Sequence, residues 1–349
     1  MENFFMDKVI RCGICGLGRI GWGFHLPAIR ATEGLEAAAV ADPLQERVDE
    51  ALSVYGVPHR FTDWRQMADS GTIDLAVIAS PTVFHREQCE YFLSRGIDVF
   101  CDKPMALTRE EAEAMAAAAK KYGRKLMIYQ PHRLNGLTLK AQEIIRSGKL
   151  GKIWQIKRSI CSFVRRNDWQ SFSAQGGGML NNYGAHFLDQ LLYLGGDRKA
   201  VKVRCETERI LSGGDAEDVV SVAMRGSSGI LYKLEINMAS ALPFPDMELF
   251  GDRGSAFFQD GKWHLKYCSK MTELVMHEGY AAPDRRYPPR ENNFTEETLE
   301  NPEVSSYEWY KHCRDFYKGI EAPLVPLEET LEVMRLLKEC RTSSENFWN

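Results

Sequence analysis

The segment Val9-Ile10-Arg11-Cys12-Gly13-Ile14-Cys15-Gly16-Leu17-Gly18-Arg19-Ile20-Gly21 decides the fold. Its first seven residues read as a short buried strand. They run into a G-x-G-x-x-G turn that opens a helix through about Arg30. Alone, that glycine spacing is a weak signal, and a purely structural turn is its alternative. Between a strand and a helix, in the first βαβ unit, it has the context that cradles the pyrophosphate of a dinucleotide. Gly16 permits the tight turn, Gly18 lets the phosphates approach, and Gly21 lets the helix close on the sheet. With Leu17, Arg19 and Ile20 they form a helix N-terminus whose free N–H groups and dipole favour an anion.

Reading outward, strands are expected at 35–41, 75–80, 98–101 and 125–129, with helical patterns at 43–55, near 86–94 and up to Lys121. Thr108-Arg109-Glu110-Glu111 is a capping box at the start of the last helix. This alternation implies right-handed crossovers and a doubly wound parallel sheet over residues 1–130. Asp42 ends the second strand, 21 positions after Gly21. A carboxylate there accepts the adenosine ribose hydroxyls and repels a 2′-phosphate, which favours NAD over NADP; the alternative is a cap on the following helix.

The pattern changes after residue 130. A helix at 137–147 precedes candidate strands at 153–161, 200–209, 218–225, 230–238, 247–250, 255–259, 263–267 and 272–277. So many strands with few helices between them predict an α+β second domain, 131–349, built on a large, mostly antiparallel open sheet. A helix at 181–194 would lie on one side of it. Residues 283–301 are polar and proline-bearing and read as a loop, either a cover over a cleft or passive surface. Helices at 307–318 and 327–343 close the chain.

Bulk properties narrow the function. The 349 residues are 44% hydrophobic and 26% charged, with a formal net charge of −4. No basic surplus favours nucleic acid, and no apolar run is long enough to span a membrane. The first residues lack the form of a secretory signal, and nine cysteines without a framework fit a reducing compartment, so a cytoplasmic protein is expected. Cys12 and Cys15 have the spacing of a redox or metal pair, but within a strand they face opposite sides and read as small buried residues. No His or Cys pair has zinc spacing, and no metal is expected.

Three further stretches resemble one family. They are Ala79-Ser80-Pro81-Thr82-Val83-Phe84-His85, then Cys101-Asp102-Lys103-Pro104, and Gly176 through Asp189 with Asn182 and His186. Together they resemble the glucose–fructose oxidoreductase / inositol dehydrogenase / MocA family, and the likeness runs through residues 147–153 and the final helices. It implies that Ser80, Pro81, Thr82, His85, Asp102 and Lys103 border the cofactor, with His25 also nearby. It further implies a catalytic Lys103 followed by a cis proline, a catalytic His186, and association as a homodimer or homotetramer. Two departures stand out: Asp102 replaces a glutamate, and Asn182 replaces the aspartate that relays a proton with the histidine. An amide orients a hydroxyl but takes no proton.

The reaction implied is hydride transfer between NAD and a carbinol carbon of a sugar, sugar derivative, glycoside or cyclitol. His186 is expected as the principal acid/base because an ordinary imidazole titrates near neutrality. Lys103 would polarise the reacting oxygen, sharing the proton if burial or a cation lowers its pKa. Asn182 would bind a neighbouring hydroxyl. His132, Arg133, Arg166 and Trp169 are candidate substrate contacts, with surface-loop charge as the alternative. Two other readings stay open: an enzyme that retains NAD and cycles between two substrates, and a non-catalytic NAD-binding sensor.

Overall fold

The computed structural model describes residues 9–273, 276, 287 and 293–347. Six strands form the first sheet: β1 (Ile10–Cys15), β2 (Leu35–Ala41), β3 (His59–Phe61), β4 (Leu75–Ile78), β5 (Asp98–Cys101) and β6 (Leu126–Ile128). All pair in parallel, in the order β3-β2-β1-β4-β5-β6. The strand order reverses at β1, so a crevice opens beyond the carboxyl ends of β1 and β4. Both faces are covered, and Ile14, Val40, Val77 and Phe100 are accordingly apolar and fully buried.

The connecting helices are α1 (Leu26–Ala31), α2 (Gln45–Tyr55), α3 (Trp64–Asp69), α4 (His85–Ser94) and α5 (Arg109–Tyr122). A single π-turn, Gly21–His25, separates the glycine turn from α1. At α5 the Thr108 hydroxyl accepts the Glu111 N–H, and the Glu111 carboxylate accepts the N–H of Leu107. Cys12 and Cys15 are buried in β1, where loss of solvent pushes both thiols far above their ordinary pKa. All nine cysteines are free.

After α6 (Gly136–Arg146) comes the second sheet: β7 (Ile153–Cys161), β8 (Ala200–Glu208), β9 (Val219–Gly226), β10 (Leu231–Asn237), β11 (Met247–Gly251), β12 (Gly254–Gln259), β13 (Lys262–Tyr267) and β14 (Thr295–Glu300). Its order is β14-β13-β12-β11-β7-β10-β9-β8. Only β7 and β10 pair in parallel; the other neighbours are antiparallel. The helix α7 (Ala185–Gly195), entered through a second π-turn at Leu180–Gly184, lies against this sheet. Its Phe187, Leu188 and Leu191 share one apolar cluster with Ile156, Val222 and Leu234.

Two strands differ from expectation. β3 went unread because His59-Arg60-Phe61 is a three-residue exposed edge without an apolar run. β14 falls inside the expected loop 283–301. Its Thr-Glu-Glu-Thr-Leu-Glu sequence pairs with β13 as a charged edge, held by Lys149–Glu297 and Lys266–Glu296 ion pairs at 2.6 Å. Residues 283–286 and 288–292 of that loop lie outside the described residues. Of the strand expected at 272–277, Thr272, Glu273 and Met276 are irregular, and the rest lie outside the described residues.

The last two helices, α8 (Glu308–Lys318) and α9 (Leu327–Phe347), part company. α9 packs beside α5, α7 and β8 through Val333, Leu336, Leu337 and Cys340. α8 returns to the first sheet, where Trp309, Tyr310, Cys313 and Tyr317 are buried with Ile14, Phe100 and Met127. A division at residue 130 therefore cuts across the packing of α8. No described helix is long and apolar enough to cross a membrane.

Candidate active site

A cleft of about 1370 Å³ runs from the carboxyl ends of the first sheet to the loop and π-turn that precede α7. At one end stand Gly16, Gly18, Arg19, Ile20 and Asp42. Ser80, Pro81, Thr82 and Asp102 follow, and Lys103, His132, Arg166, Trp169, Asn182 and His186 close the other end.

The turn is shaped by exclusion. Gly16 has φ +96°, and a Cβ there would meet the Ala79 carbonyl at 2.9 Å. A Cβ on Gly21 would sit 1.9 Å from the Gly16 oxygen, so Gly21 serves close packing and stays off the cleft wall. A Cβ on Gly18 would meet nothing within 4 Å, leaving open the space that a diphosphate needs. Asp42 does not cap α2, whose N-cap position is Leu44 with no side-chain hydrogen bond. It borders the cleft, while its carboxylate accepts the N–H groups of Leu17 (2.8 Å) and Leu44 (3.0 Å) and lies 3.4 Å from Arg47. Leu17 is thus a buried support for Asp42. The glycine cradle, the carboxylate beyond β2 and the length of the cleft fit NAD.

His25 and His85 are corrections. Both are buried behind the wall. His85 bridges the carbonyls of Ser80 (2.9 Å) and Pro104 (3.1 Å), bracing the cis Lys103-Pro104 bond. His25 meets the Tyr310 hydroxyl at 2.6 Å and lies 4.0 Å from Asp102. Asp102 in turn accepts the Lys103 N–H at 2.8 Å. Burial pushes the Asp102 carboxyl up, but His25 and Lys103 together carry it below its ordinary value.

Arg133 is a third correction. Its guanidinium holds both oxygens of Asp189 (2.8 and 2.6 Å), Glu329 (2.7 Å) and the Leu324 carbonyl (3.0 Å), over the Tyr193 ring. It clamps the start of α9 to α7 and is turned away from the cleft. Four of its five N–H donors are so engaged, and it is absent from the cleft lining.

At the reacting end, Lys103 Nζ donates to the Asn182 backbone oxygen (2.7 Å) and side-chain oxygen (3.2 Å). Burial and, to a smaller extent, the cation of Arg166 lower its pKa to about 8 against the pull of Asp102. His186 is buried at the same end of the cleft. Burial, with Lys103, His132 and Arg158 nearby, drives its pKa far below 6.5, so it is neutral at working pH. His132 is pushed down to about 3 by burial, then by Arg158 and Lys103.

The hydrogen-bond network also assigns the two tautomers. The Gln130 amide donates to the Ala185 carbonyl (3.2 Å), so its oxygen faces His186 Nδ1 (3.2 Å) as an acceptor. That places the proton on Nδ1 and leaves His186 Nε2 a bare acceptor. Asn135 accepts the Thr138 N–H (2.8 Å), so its amide donates to His132 Nδ1 (3.1 Å) and the His132 proton sits on Nε2. The two rings lie 4.5 Å apart. Together they offer one fixed donor and one fixed acceptor.

Sequence reasoning missed Gln130 and Arg158. Gln130 leaves the carboxyl end of β6, a position where sites are built in open parallel sheets. Arg158 interrupts the apolar side of β7. It is buried over the Phe187 ring at 4.1 Å and bonded to Gln190 (3.0 Å) and the Asp246 carbonyl (2.6 Å). Across the cleft mouth, Arg19 of the glycine turn meets Asp168 at 2.8 Å, and Arg166 approaches the same carboxylate at 3.6 Å.

Comparison with known proteins agrees with this architecture. Residues 10–130 match the family described as "Oxidoreductase family, NAD-binding Rossmann fold", and residues 138–257 match the "GFO/IDH/MocA C-terminal domain". The chain belongs to the Gfo/Idh/MocA oxidoreductase family, whose nucleotide domain takes NAD. Within that family it is 28% identical to D-apiose dehydrogenase of Paraburkholderia graminis, over 63% of this chain and 60% of that one. The chain thus spans about three fifths of the length of the curated relatives it matches first. It is 26% identical to the uncharacterized oxidoreductase YdgJ of Escherichia coli, over 95% of this chain and 96% of that one. The crystal structure of an NAD-binding protein from Listeria innocua shares the fold, with a TM-score of 0.86, 23% identity, and coverage of 97% and 96%.

Proposed function

We propose that the chain interconverts an alcohol and a carbonyl on a small polyhydroxylated molecule: a sugar, sugar derivative, glycoside or cyclitol. The observation that carries this reading is a partly buried lysine, bonded to Asn182 and with a pKa of about 8, at the far end of a dinucleotide-shaped cleft. NAD, held along the Gly16–Gly21 turn with Asp42 at its ribose end, supplies the hydride acceptor or donor. The chain supplies position and the proton.

Lys103 is the group whose pKa lies near working pH, so it takes the role first expected of His186. As the free amine, Nζ accepts the alcohol proton in oxidation; as the ammonium, it returns that proton in reduction. Asn182 holds Nζ through two oxygens and leaves it neutral company. His186 Nε2 accepts a hydrogen bond from one substrate hydroxyl, and His132 Nε2–H donates to a neighbouring oxygen. Trp169 offers a ring face for the C–H side of the substrate.

A panel of polyols, aldoses, glycosides and cyclitols, followed at the NADH absorbance band, tests the reading. Oxidation should rise with pH to a half-maximum near 8, and reduction should fall through the same pH. Lys103→Met should lower turnover by roughly 10²–10⁴-fold while NAD affinity stays within about twofold. A variant that keeps most of its turnover would sink the assignment. Asn182 favours the second reading, a non-catalytic sensor, which predicts no absorbance change with any compound.

A further inference from the structure

We infer that Asn135, which lies outside the cleft lining, sets the hydrogen-bonding role that His132 offers the substrate, and so fixes which of two adjoining hydroxyls must donate and which must accept. The inference rests on the hydride-transfer reading for what fills the cleft, and it adds the positioning residue that decides how that substrate is read.

The first observation is that the His132 and His186 rings are each bonded on one side only. Both line the cleft, their centroids stand 4.5 Å apart, and burial keeps both neutral. Each ring spends Nδ1 on a side-chain amide behind it, 3.1 Å to Asn135 Nδ2 and 3.2 Å to Gln130 Oε1. Nε2 of each ring is bonded to no described residue, and neither is sealed from solvent as His25 Nε2 is. Both Nε2 atoms are therefore free to meet a ligand.

The second observation is that the two amides face opposite ways. Gln130 turns its oxygen to His186 because its NH2 group is committed to the Ala185 carbonyl. Asn135 turns its nitrogen to His132 because its oxygen is committed to the Thr138 N–H, as the cap of α6. A neutral imidazole holds one N–H and one bare nitrogen, so opposite amides impose opposite tautomers. The start of α6 thus dictates, through Asn135 and His132, the polarity of a group in the cleft. Adjoining hydroxyls match it in one sense only: one gives its hydrogen to His186 Nε2, and the other lends a lone pair to the His132 N–H. A carboxylate in place of the Asn135 amide would accept from His132 Nδ1 and leave Nε2 bare. Both hydroxyls would then have to donate. A buried donor set against a donor, or an acceptor against an acceptor, loses its bond and its solvation together.

The test uses the NADH-loaded full chain with nitrogen-15 in its histidines. Near pH 9, nitrogen NMR should show His132 protonated at Nε2 and His186 at Nδ1, each signal assigned by its loss in His132→Gln or His186→Gln. Asn135→Asp keeps the cap on α6 but offers His132 only an acceptor, so the His132 proton should move to Nδ1 while His186 stays as it was. Asn135→Ser also caps but is too short to reach the ring, and the two His132 nitrogens should average. Calorimetry with glucose, galactose and their deoxy and deoxyfluoro forms reads the same polarity from the ligand, since a C–F group accepts weakly and never donates. At one carbon, both replacements should weaken binding about tenfold or more. At an adjoining carbon the fluoro form should bind tighter than the deoxy form, and Asn135→Asp should abolish that margin. A His132 proton on Nδ1 in the unaltered chain overturns the inference, as does an Nδ1 that stays bare in Asn135→Asp or a fluoro margin that survives there. The two readings fail separately. The expected proton positions without oxidation of any polyol uphold the role of Asn135 and sink hydride transfer. Turnover with His132 protonated on Nδ1 does the reverse.

Discussion

Lys103 and Asn182 form a pair whose chemistry turns on one atom. Where the family resemblance implies an aspartate, the amide of Asn182 accepts from Nζ without adding charge. The lysine therefore keeps the low pKa that burial imposes. Asn182→Asp would set a carboxylate about 3.2 Å from Nζ, and an opposite charge at that range raises a lysine pKa by about one unit or more. The half-point of the oxidation profile should move to higher pH by that amount, and an unmoved profile would detach Lys103 from the proton step. Lys103 was legible as a site residue from Asp102-Lys103-Pro104, and its possible share in the proton work was foreseen. The neutrality of His186 was not, because it depends on burial and then on Lys103, His132 and Arg158, brought in from the segments after β5 and β6 and from β7. No local pattern around position 186 reports those neighbours.

Elements that bury an apolar face were the readable ones. β1, β2, β4 and the strands β7 to β13 carry runs or alternations that only a sheet satisfies. β3 and β14 carry none, since an edge strand needs a partner's backbone and little else. Arg133 was misplaced for a related reason: an arginine after a strand looks the same whether it faces a cleft or Asp189 and Glu329. Between elements, the Arg19–Asp168 pair joins the glycine turn to the loop before α7. With 71% and 31% side-chain exposure it is solvent-screened, worth about 0.2–1 kcal/mol. Asp168→Asn should speed release of NADH up to about fivefold in stopped-flow fluorescence at low salt, and the difference should fade as salt screens the pair. Identical release rates at low salt would show that the pair does not hold the dinucleotide.

At the scale of the molecule, the same buried bases set an acid limit. His85, His132 and His186 are all held below their ordinary value, burial being the largest cause. Unfolded, each takes a proton near pH 6.5; folded, each takes one less readily. Their contribution is whole above about 6.5 and is lost as pH falls below it, with a slope of up to about 1.4 kcal/mol per pH unit for each histidine. For His132 the loss continues toward about pH 3. Urea midpoints at pH 7.5 and 5.5 should differ, and His132→Gln should narrow the gap. A gap unchanged by that substitution would place the acid sensitivity elsewhere.

The return of α8 to the first sheet has a consequence for how the protein is made. Trp309, Tyr310, Cys313 and Tyr317 cover Phe100, Met127 and Tyr129. Synthesis reaches those covering residues only after every strand of the second sheet has been made. The nucleotide-binding sheet is therefore made before the second sheet and finished after it. Until α8 arrives, the part of one face around Phe100, Met127 and Tyr129 stands uncovered, the period in which a nascent chain most needs shielding from its neighbours.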